Sequence, residues 1–387
     1  MIPLAASCEF LGNWPSPAET KLFRVSAAHN DGGADRKLSL SGFYGIEAGF
    51  QAIGTFDRPD SGHTPNMVIP GFMSHLDEGD LISVNPANGR LRVLFRGASN
   101  HNSFLVTERC DNYCLMCSQP PRRVNDGYLL EEIAACIPQM PKAVREIGFT
   151  GGEPTLLGDR FIEVLKLCKE HLPETAVHVL TNGRSFSRPD FAELWASVAH
   201  PDIMAGIPIY SDQSSIHDFV VQADGAFDET VRGILNLKRL RQRVEIRIVL
   251  HRHTVGRLDR FADFVVRNLP FVDHVALMGL ELMGFAKGNV DDLWIDPREH
   301  AAVIGAAAET LDRAGLHTSI YNLPLCVLDQ RGRRFAVKSI SDWKREYWDA
   351  CSGCAVMDEC GGLSSRRGRD WRPISRHWSY SAPGKLS

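Results

Sequence analysis

Cys110, Cys114 and Cys117 stand in the run VTERCDNYCLMCSQPP, a C-x3-C-x2-C cluster. Three closely spaced thiolates supply three of the four corner ligands that a cubane iron–sulfur cluster requires. One iron is then left open, and an open iron can bind and activate a small molecule. A four-thiolate site is expected to store or relay electrons, whereas a three-thiolate site is a candidate for chemistry. Zinc is the competing reading, although its usual signature is two C-x2-C pairs.

A second motif, IGFTGGEPTLLG, centres on Thr150, Gly151, Gly152, Glu153 and Pro154. Adjacent glycines remove the Cβ atoms that would keep the backbone away from a ligand. The carboxylate behind them can accept hydrogen bonds from an ammonium group. Alone, the string is a weak signal and reads as a turn. About one βα unit after a three-cysteine loop, it becomes a strong one.

A further cysteine group, Cys351-x2-Cys354-x5-Cys360, lies in DACSGCAVMDECGG, with Cys326 upstream in YNLPLCVL. Four thiolates in this order can saturate an iron–sulfur cube. They also suit tetrahedral Zn²⁺, so both readings stand at this site. Cys8, Cys136 and Cys168 lack ligand spacing, and the two in helical patterns read as buried apolar fillers.

These residues need elements to hold them. Residues 1–97 contain short strand-like runs, among them LISVN and RLRVLFR on either side of Pro86-Ala87-Asn88-Gly89. Asn-Gly between apolar runs predicts a hairpin, and the segment reads as a small β-rich accessory domain. From Ser103 the pattern alternates strand and helix. SFLVTE, REIGFTG, AVHVLTN, IMAGIPIY, VEIRIVL and HVALMGLE are the strand runs, separated by amphipathic stretches such as RFIEVLKLCKEHL and RLDRFADFVVRNL. Strands spaced by crossover helices predict a parallel α/β sheet. The three-cysteine loop, Gly-Gly-Glu-Pro and Thr181-Asn182-Gly183 then follow the first three strands in turn. All three motifs fall at carboxyl ends of strands, where such folds place their sites.

The chain has 387 residues, 44% apolar and 23% charged, with a formal net charge of −4. This is the composition of a soluble globular protein without the basic field expected for bulk nucleic-acid binding. No apolar run is long enough to span a membrane. The N-terminal stretch lacks the pattern of a secretory signal, and ten cysteines fit metal ligation in a reducing cytoplasm better than disulfides.

The first two motifs together resemble the radical SAM superfamily. The resemblance implies a partial (β/α)6 TIM-like barrel in which Cys110, Cys114 and Cys117 hold a [4Fe-4S] cluster. S-adenosylmethionine would chelate the fourth iron, and Gly151, Gly152 and Glu153 would bind its ammonium group. The position before the third cysteine, often aromatic in the superfamily, is Met116 here, with an expected role in packing near the adenine. Asn182 resembles a ribose-contacting position. Ser211 and Arg247 end or line later strands and are candidates for the ribose or methionyl carboxylate; strand-end hydrogen bonding, or ion pairing with Glu245 or Asp212, is the local alternative. His217-Asp218 is a weaker candidate for substrate contact, against a helix start or local polar contact.

The C-terminal cysteines resemble the auxiliary-cluster extensions called SPASM or twitch domains, with ligands enough here for one [4Fe-4S] cluster. The connecting phrases VLTNGRSF, GIPIYSD, HDFVVQADGAFD, VEIRIVLHR, NLPFVDHVALMGLE, LWIDP and SISDWK are similar to the His-Xaa-Ser system radical SAM maturase of the HxsC type. That resemblance implies a ribosomally made precursor peptide as substrate, a second radical SAM protein as partner, and an electron donor such as flavodoxin or ferredoxin. The expected organisation is an accessory domain at 1–97, a radical SAM core at 98–315, an auxiliary-cluster extension at 316–362 and a basic tail at 363–387. Competing readings are a radical SAM enzyme acting on a small molecule or RNA, and a non-catalytic electron relay. The net charge and the lack of an arginine-rich domain weigh against RNA, and the Gly-Gly-Glu-Pro element weighs against a relay.

Overall fold

The computed structural model describes residues 4–10, 21–25, 37–40, 52–56, 67–338, 347 and 349–362. The basic tail at 363–387 lies outside the described residues, as do parts of the accessory and auxiliary segments. The chain divides into two compact units. One comprises Met1–Phe104, Asp126–Gly148 and Glu163–Ala176; the other comprises Leu105–Asn125, Phe149–Ile162 and Val177–Ser387.

The fold is α/β, built on a seven-stranded sheet consistent with the partial TIM-like barrel expected from the sequence. Its strands are β1 (His101–Thr107), β2 (Glu146–Gly151), β3 (Ala176–Leu180), β4 (Ile203–Pro208), β5 (Arg243–Leu250), β6 (His274–Gly279) and β7 (Thr318–Tyr321). They lie side by side in chain order. Pairing from β3 through β7 is parallel throughout, with registers such as Gly206↔Glu245 and Glu245↔His274. Parallel neighbours need crossovers, and helices supply them. These are α1 (Gly127–Cys136), α2 (Asp159–His171), α3 (Pro189–Ser197), α4 (Ser214–Val221), α5 (Ala226–Arg239), α6 (Arg252–Val255), α7 (Leu258–Asn268) and α8 (Ala301–Arg313).

One face of each helix is apolar for a visible reason. In α7, Leu258, Phe261, Ala262 and Val265 recur at helical spacing and are all buried, while Asp259, Arg260 and Asp263 take the other face. On β5, Val244, Ile246 and Ile248 are fully buried, and Glu245 and Arg247 alternate with them onto the opposite face. The six strand runs read from the sequence are all strands here. The seventh, β7, lies beyond residue 315, so the sheet runs into the segment assigned to the auxiliary extension.

Among the described residues the N-terminal sheet has eight short strands. The hairpin expected around Asn88-Gly89 is present: Leu81–Asn85 and Arg90–Phe95 pair antiparallel, with Val84 opposite Leu91. Gly89 takes φ +70°, the conformation that favours glycine in such a turn. Phe23, Val25, Met67, Ile69, Ile82, Val84 and Leu91 form the core of this region. Among the described residues no helix is long and apolar enough to cross a membrane.

Candidate active site

The three-cysteine loop leaves the end of β1 and is pinned from several sides. Tyr113 N and Leu115 N donate to Val221 O and Val220 O at the end of α4, both at 2.9 Å. Phe285 N donates to Cys117 O at 2.8 Å, and Asn289 Nδ2 donates to Leu115 O at 2.8 Å. Gly284, at φ +53°, sits so close that a Cβ there would lie 2.5 Å from Cys117 O. Arg184 holds the front of the loop by donating to Asp111 O (3.0 Å) and Asn112 Oδ1 (2.7 Å). Met116 is buried, in keeping with a packing role.

The thiols themselves carry weak bonds. Asn112 N donates to Cys110 Sγ at 3.4 Å, and Cys117 Sγ donates to Gln119 O at 3.0 Å. Burial pushes the Cys110 thiol up to about 12 and raises Cys114 and Cys117 as well. Cys110 and Cys117 also raise Cys114 by repulsion between would-be thiolates, which puts the three within electrostatic reach of one another. Among the described residues no three His, Cys, Asp or Glu side chains already converge as metal ligands do. The donor set nevertheless fits an iron–sulfur group: three soft sulfurs on one pinned loop, each costly to ionise until a cation offsets the charge.

Behind this loop lies Gly-Gly-Glu-Pro. Gly152 N donates to Thr107 O and Glu153 N to Arg109 O, each at 2.7 Å, so the contact between the first two strands continues past their ends. A Cβ on Gly151 (φ +147°) would lie 2.3 Å from Thr107 O, and one on Gly152 would lie 2.0 Å from Arg109 O. The glycines therefore permit a close approach of two protein backbones.

Glu153 is fully buried. Its Oε1 accepts from Thr155 N (3.0 Å), Thr155 Oγ1 (2.6 Å) and Thr181 Oγ1 (2.7 Å), and its Oε2 accepts from Asn182 N (2.5 Å). Burial pushes its pKa up, and these hydrogen bonds pull against that shift. The carboxylate thus ties the end of β2 to the end of β3. A ligand ammonium group would have to share it with these protein donors.

Asn182 is equally engaged. Its Nδ2 donates to Asp111 Oδ1 at 2.6 Å, its Oδ1 accepts from Arg184 N at 3.0 Å, and its carbonyl accepts from Thr230 Oγ1 at 3.1 Å. It connects the end of β3 to the cysteine loop. Ser211 makes local contacts: its Oγ accepts from Gln213 N (3.1 Å) and donates to Asp212 Oδ1 (3.2 Å). Asp212 is gripped by both Nε and Nη2 of Arg257, which holds its carboxyl below the usual range. Arg247 pairs with Glu245, Nη1 to Oε1 at 2.6 Å. His217 Nδ1 accepts from Tyr210 N at 3.2 Å, and Asp218 accepts from Gly225 N and Phe227 N at the start of α5.

Two residues near the site were not singled out from sequence. Tyr210 follows β4, and its buried phenol is pushed well up by burial and by the nearby Cys114, Cys117 and Cys110. His251 follows β5 and caps α6, its Nδ1 accepting from His253 N at 3.3 Å. Burial pushes His251 down to about 3 and His217 down to about 4. The Nε2 of His251 is buried without a hydrogen-bond partner. The strand-end rule that selected Asn182 points equally to Tyr210 and His251.

The C-terminal cysteines also interact. Cys326 lies in the short turn Leu325–Val327, and its thiol is pushed up to about 11 by burial and by Cys360, Cys351 and Cys354. Leu325 N and Gly362 N both donate to Cys360 Sγ at 3.4 Å. Cys354 N donates to Cys351 O at 3.0 Å.

Residues 104–265 match the model of the Radical SAM superfamily. No curated protein matches the chain. Among solved structures, the fold is similar to SuiB of Streptococcus suis bound to S-adenosylmethionine, at 14% identity and a TM-score of 0.47, over 59% of this chain and 51% of that one. SuiB is also known bound to its precursor peptide SuiA. The structure is also similar to anSMEcpe with bound AdoMet, at 16% identity and a TM-score of 0.43, over 56% of this chain and 62% of that one. A radical SAM methyltransferase from Sphaerobacter thermophilus matches at 14% identity and a TM-score of 0.44, over 62% and 72% of the two chains. The chain spans about half the length of SuiB. The family matched over residues 104–265 implies S-adenosylmethionine and a [4Fe-4S] cluster.

Proposed function

We propose that the chain is a radical SAM maturase that modifies a ribosomally made precursor peptide of the His-Xaa-Ser type. In this reading Cys110, Cys114 and Cys117 hold the [4Fe-4S] cluster, and Gly151, Gly152 and Glu153 form the wall against the methionyl end of S-adenosylmethionine. Asn182, Ser211 and Arg247 contribute from the ends and inner faces of the next strands. When bound, the cluster and S-adenosylmethionine supply a 5′-deoxyadenosyl radical able to take hydrogen from an unactivated C–H. The chain's own residues orient the cofactor and keep water out.

The observation that carries this reading is the pinned three-thiol loop beside the Glu153 tie, at the carboxyl ends of parallel strands. The peptide assignment leans on the connecting phrases and on the second cysteine group. Cys326, Cys351, Cys354 and Cys360 would hold an auxiliary [4Fe-4S] cluster that accepts the electron left after hydrogen abstraction. Two backbone N–H groups directed at Cys360 Sγ suit a thiolate ligand. A flavodoxin or ferredoxin would supply the first electron, and a second radical SAM protein would act beside this one in the cytoplasm.

Anaerobic reconstitution, iron counting and chromatography for 5′-deoxyadenosine test the proposal. Two clusters give about eight irons per chain, and Cys360→Ser lowers that to about four. Cys114→Ala abolishes cleavage of S-adenosylmethionine. About four irons together with bound zinc in the wild type would remove the auxiliary cluster from the reading. Well-reconstituted protein that never cleaves S-adenosylmethionine, even with its precursor peptide and partner present, would overturn the maturase assignment.

A further inference from the structure

The inner face of the sheet carries a polar network that the cysteine motifs do not account for. Glu245 on β5 accepts from Arg247 Nη1 (2.6 Å) and from His274 Nδ1 of β6 (2.6 Å). His274 Nε2 meets Ser319 Oγ of β7 at 2.9 Å, and His317 stacks on the His274 ring at 4.5 Å. His178 Nε2 of β3 lies 3.4 Å from Glu245 Oε1, outside hydrogen-bond geometry. Strands two apart in a flat sheet are separated by roughly 10 Å. His178 and Glu245 therefore meet across β4 on one face of the sheet.

Gly206 of β4, opposite Glu245 in register, makes that approach possible. A Cβ there would lie 2.8 Å from His178 Nε2 and 3.3 Å from Arg247 Cδ. Barrel interiors are ordinarily filled by branched apolar side chains in layers. Here the same positions hold two histidines, a glutamate and an arginine, at the cost of desolvating them. Burial alone would push Glu245 up, but Arg247, His178 and His274 outweigh it and hold the carboxyl well below its usual range. A buried anion is thus maintained in order to be paired.

Arg247 is the open end of this network. Its side chain keeps 20% exposure against 5% for Glu245. Nη1 is committed to Glu245, whereas Nη2 rests on the thioether Sδ of Met278 at 3.0 Å. A thioether is a weak acceptor, and a carboxylate oxygen would displace it readily. Arg247 stands in register with Pro208, the last residue of β4, and its carbonyl accepts from Ile209 N at 3.0 Å, which places it level with the carboxyl end of that strand, where Tyr210 follows.

We propose that Glu245 and His274 are positioning residues that lock Arg247 as the receiver for a ligand carboxylate, that of the methionyl end of S-adenosylmethionine. The inference rests on the radical SAM reading of the site. It adds a buttress to the cofactor pocket: Ser319 orients His274, His274 orients Glu245, and Glu245 fixes one edge of the guanidinium so that the other faces the ligand.

The test compares two ligands on the reconstituted full chain by anaerobic calorimetry. S-adenosylhomocysteine carries the amino-acid end, and 5′-methylthioadenosine lacks it. Glu245→Gln weakens S-adenosylhomocysteine about tenfold, some 1.4 kcal/mol, and leaves 5′-methylthioadenosine within about twofold. Arg247→Lys behaves alike, because a lysine cannot reproduce the fork. The double variant loses little more than the worse single one. His274→Asn, a second probe should Glu245→Gln fail to fold, shifts the same ligand in the same direction. Parallel weakening of both ligands would overturn the buttress in favour of a purely structural network. Loss on Arg247→Lys with none on Glu245→Gln or His274→Asn would overturn it while keeping the cofactor site. If the wild type binds neither ligand, the radical SAM reading of the site falls, and the inference with it.

Discussion

Glu153→Gln separates a carboxylate that holds the protein together from one that serves only a ligand. The amide is isosteric, but it can present one acceptor where the carboxylate presents two. With its oxygen at the Oε1 position, the glutamine keeps the donors Thr155 N, Thr155 Oγ1 and Thr181 Oγ1. Its NH₂ group then faces Asn182 N, a donor that had lain 2.5 Å from Oε2. The reverse orientation strands three donors and is worse. A buried backbone N–H left unsatisfied costs about 1–3 kcal/mol. The three retained bonds also lose their charge assistance, which roughly halves each. The amide also escapes the desolvation that burial imposes on the charged form, which offsets part of this and leaves about 1–3 kcal/mol of destabilisation. For a unit of this size that is a fall of roughly 2–12 °C in Tm. Thermal unfolding followed by far-UV circular dichroism, on protein without S-adenosylmethionine, reads it directly. A variant that melts within about 2 °C of wild type and loses only cofactor affinity would refute the structural tie.

Two further predictions follow from the same region. Gly152→Ala forces a Cβ to within 2.0 Å of Arg109 O, backbone that cannot swing aside, so the variant separates the loop ends of β1 and β2. It is expected to retain much less iron after reconstitution than Gly256→Ala, whose Cβ meets nothing within 4 Å at an ordinary helical φ; equal iron contents would count against the close approach. His217 and His251 are held down to about 4 and about 3, against an ordinary value of 6.5. The unfolded chain therefore takes up their protons first, and stability is lost as pH falls from about 6.5 toward those values. Each contributes a slope of about 1.4 kcal/mol per pH unit in that window. Urea midpoints measured across it should vary less steeply for His217→Gln, and an unchanged slope would show that His217 is not buried neutral.

What the sequence made legible is chemistry fixed by residue type over short spans. Three sulfurs within eight residues point to a metal group whatever surrounds them, and alternating strand and helix runs place them at the carboxyl ends of strands. What it left illegible depends on the register between distant segments. The residues TSIY of β7 are too few for a periodic signal, and only pairing with β6 makes them a strand. Whether a Cβ at Gly152 would meet a ligand or Arg109 O depends on how the ends of β1 and β2 slide past one another. The Glu245 network takes one residue each from β3, β6 and β7, spaced by nothing that a motif could capture. Yet a trace was present. Glu245 and Arg247 sit two apart in a run otherwise apolar, and a charged pair on the inward face of a parallel strand conflicts with the rule for filling a barrel. Such conflicts between local pattern and expected burial mark places where a protein gives up stability for a function. The inner face of β5 was therefore the part of this sequence that most needed an explanation, although the cysteines were easier to see.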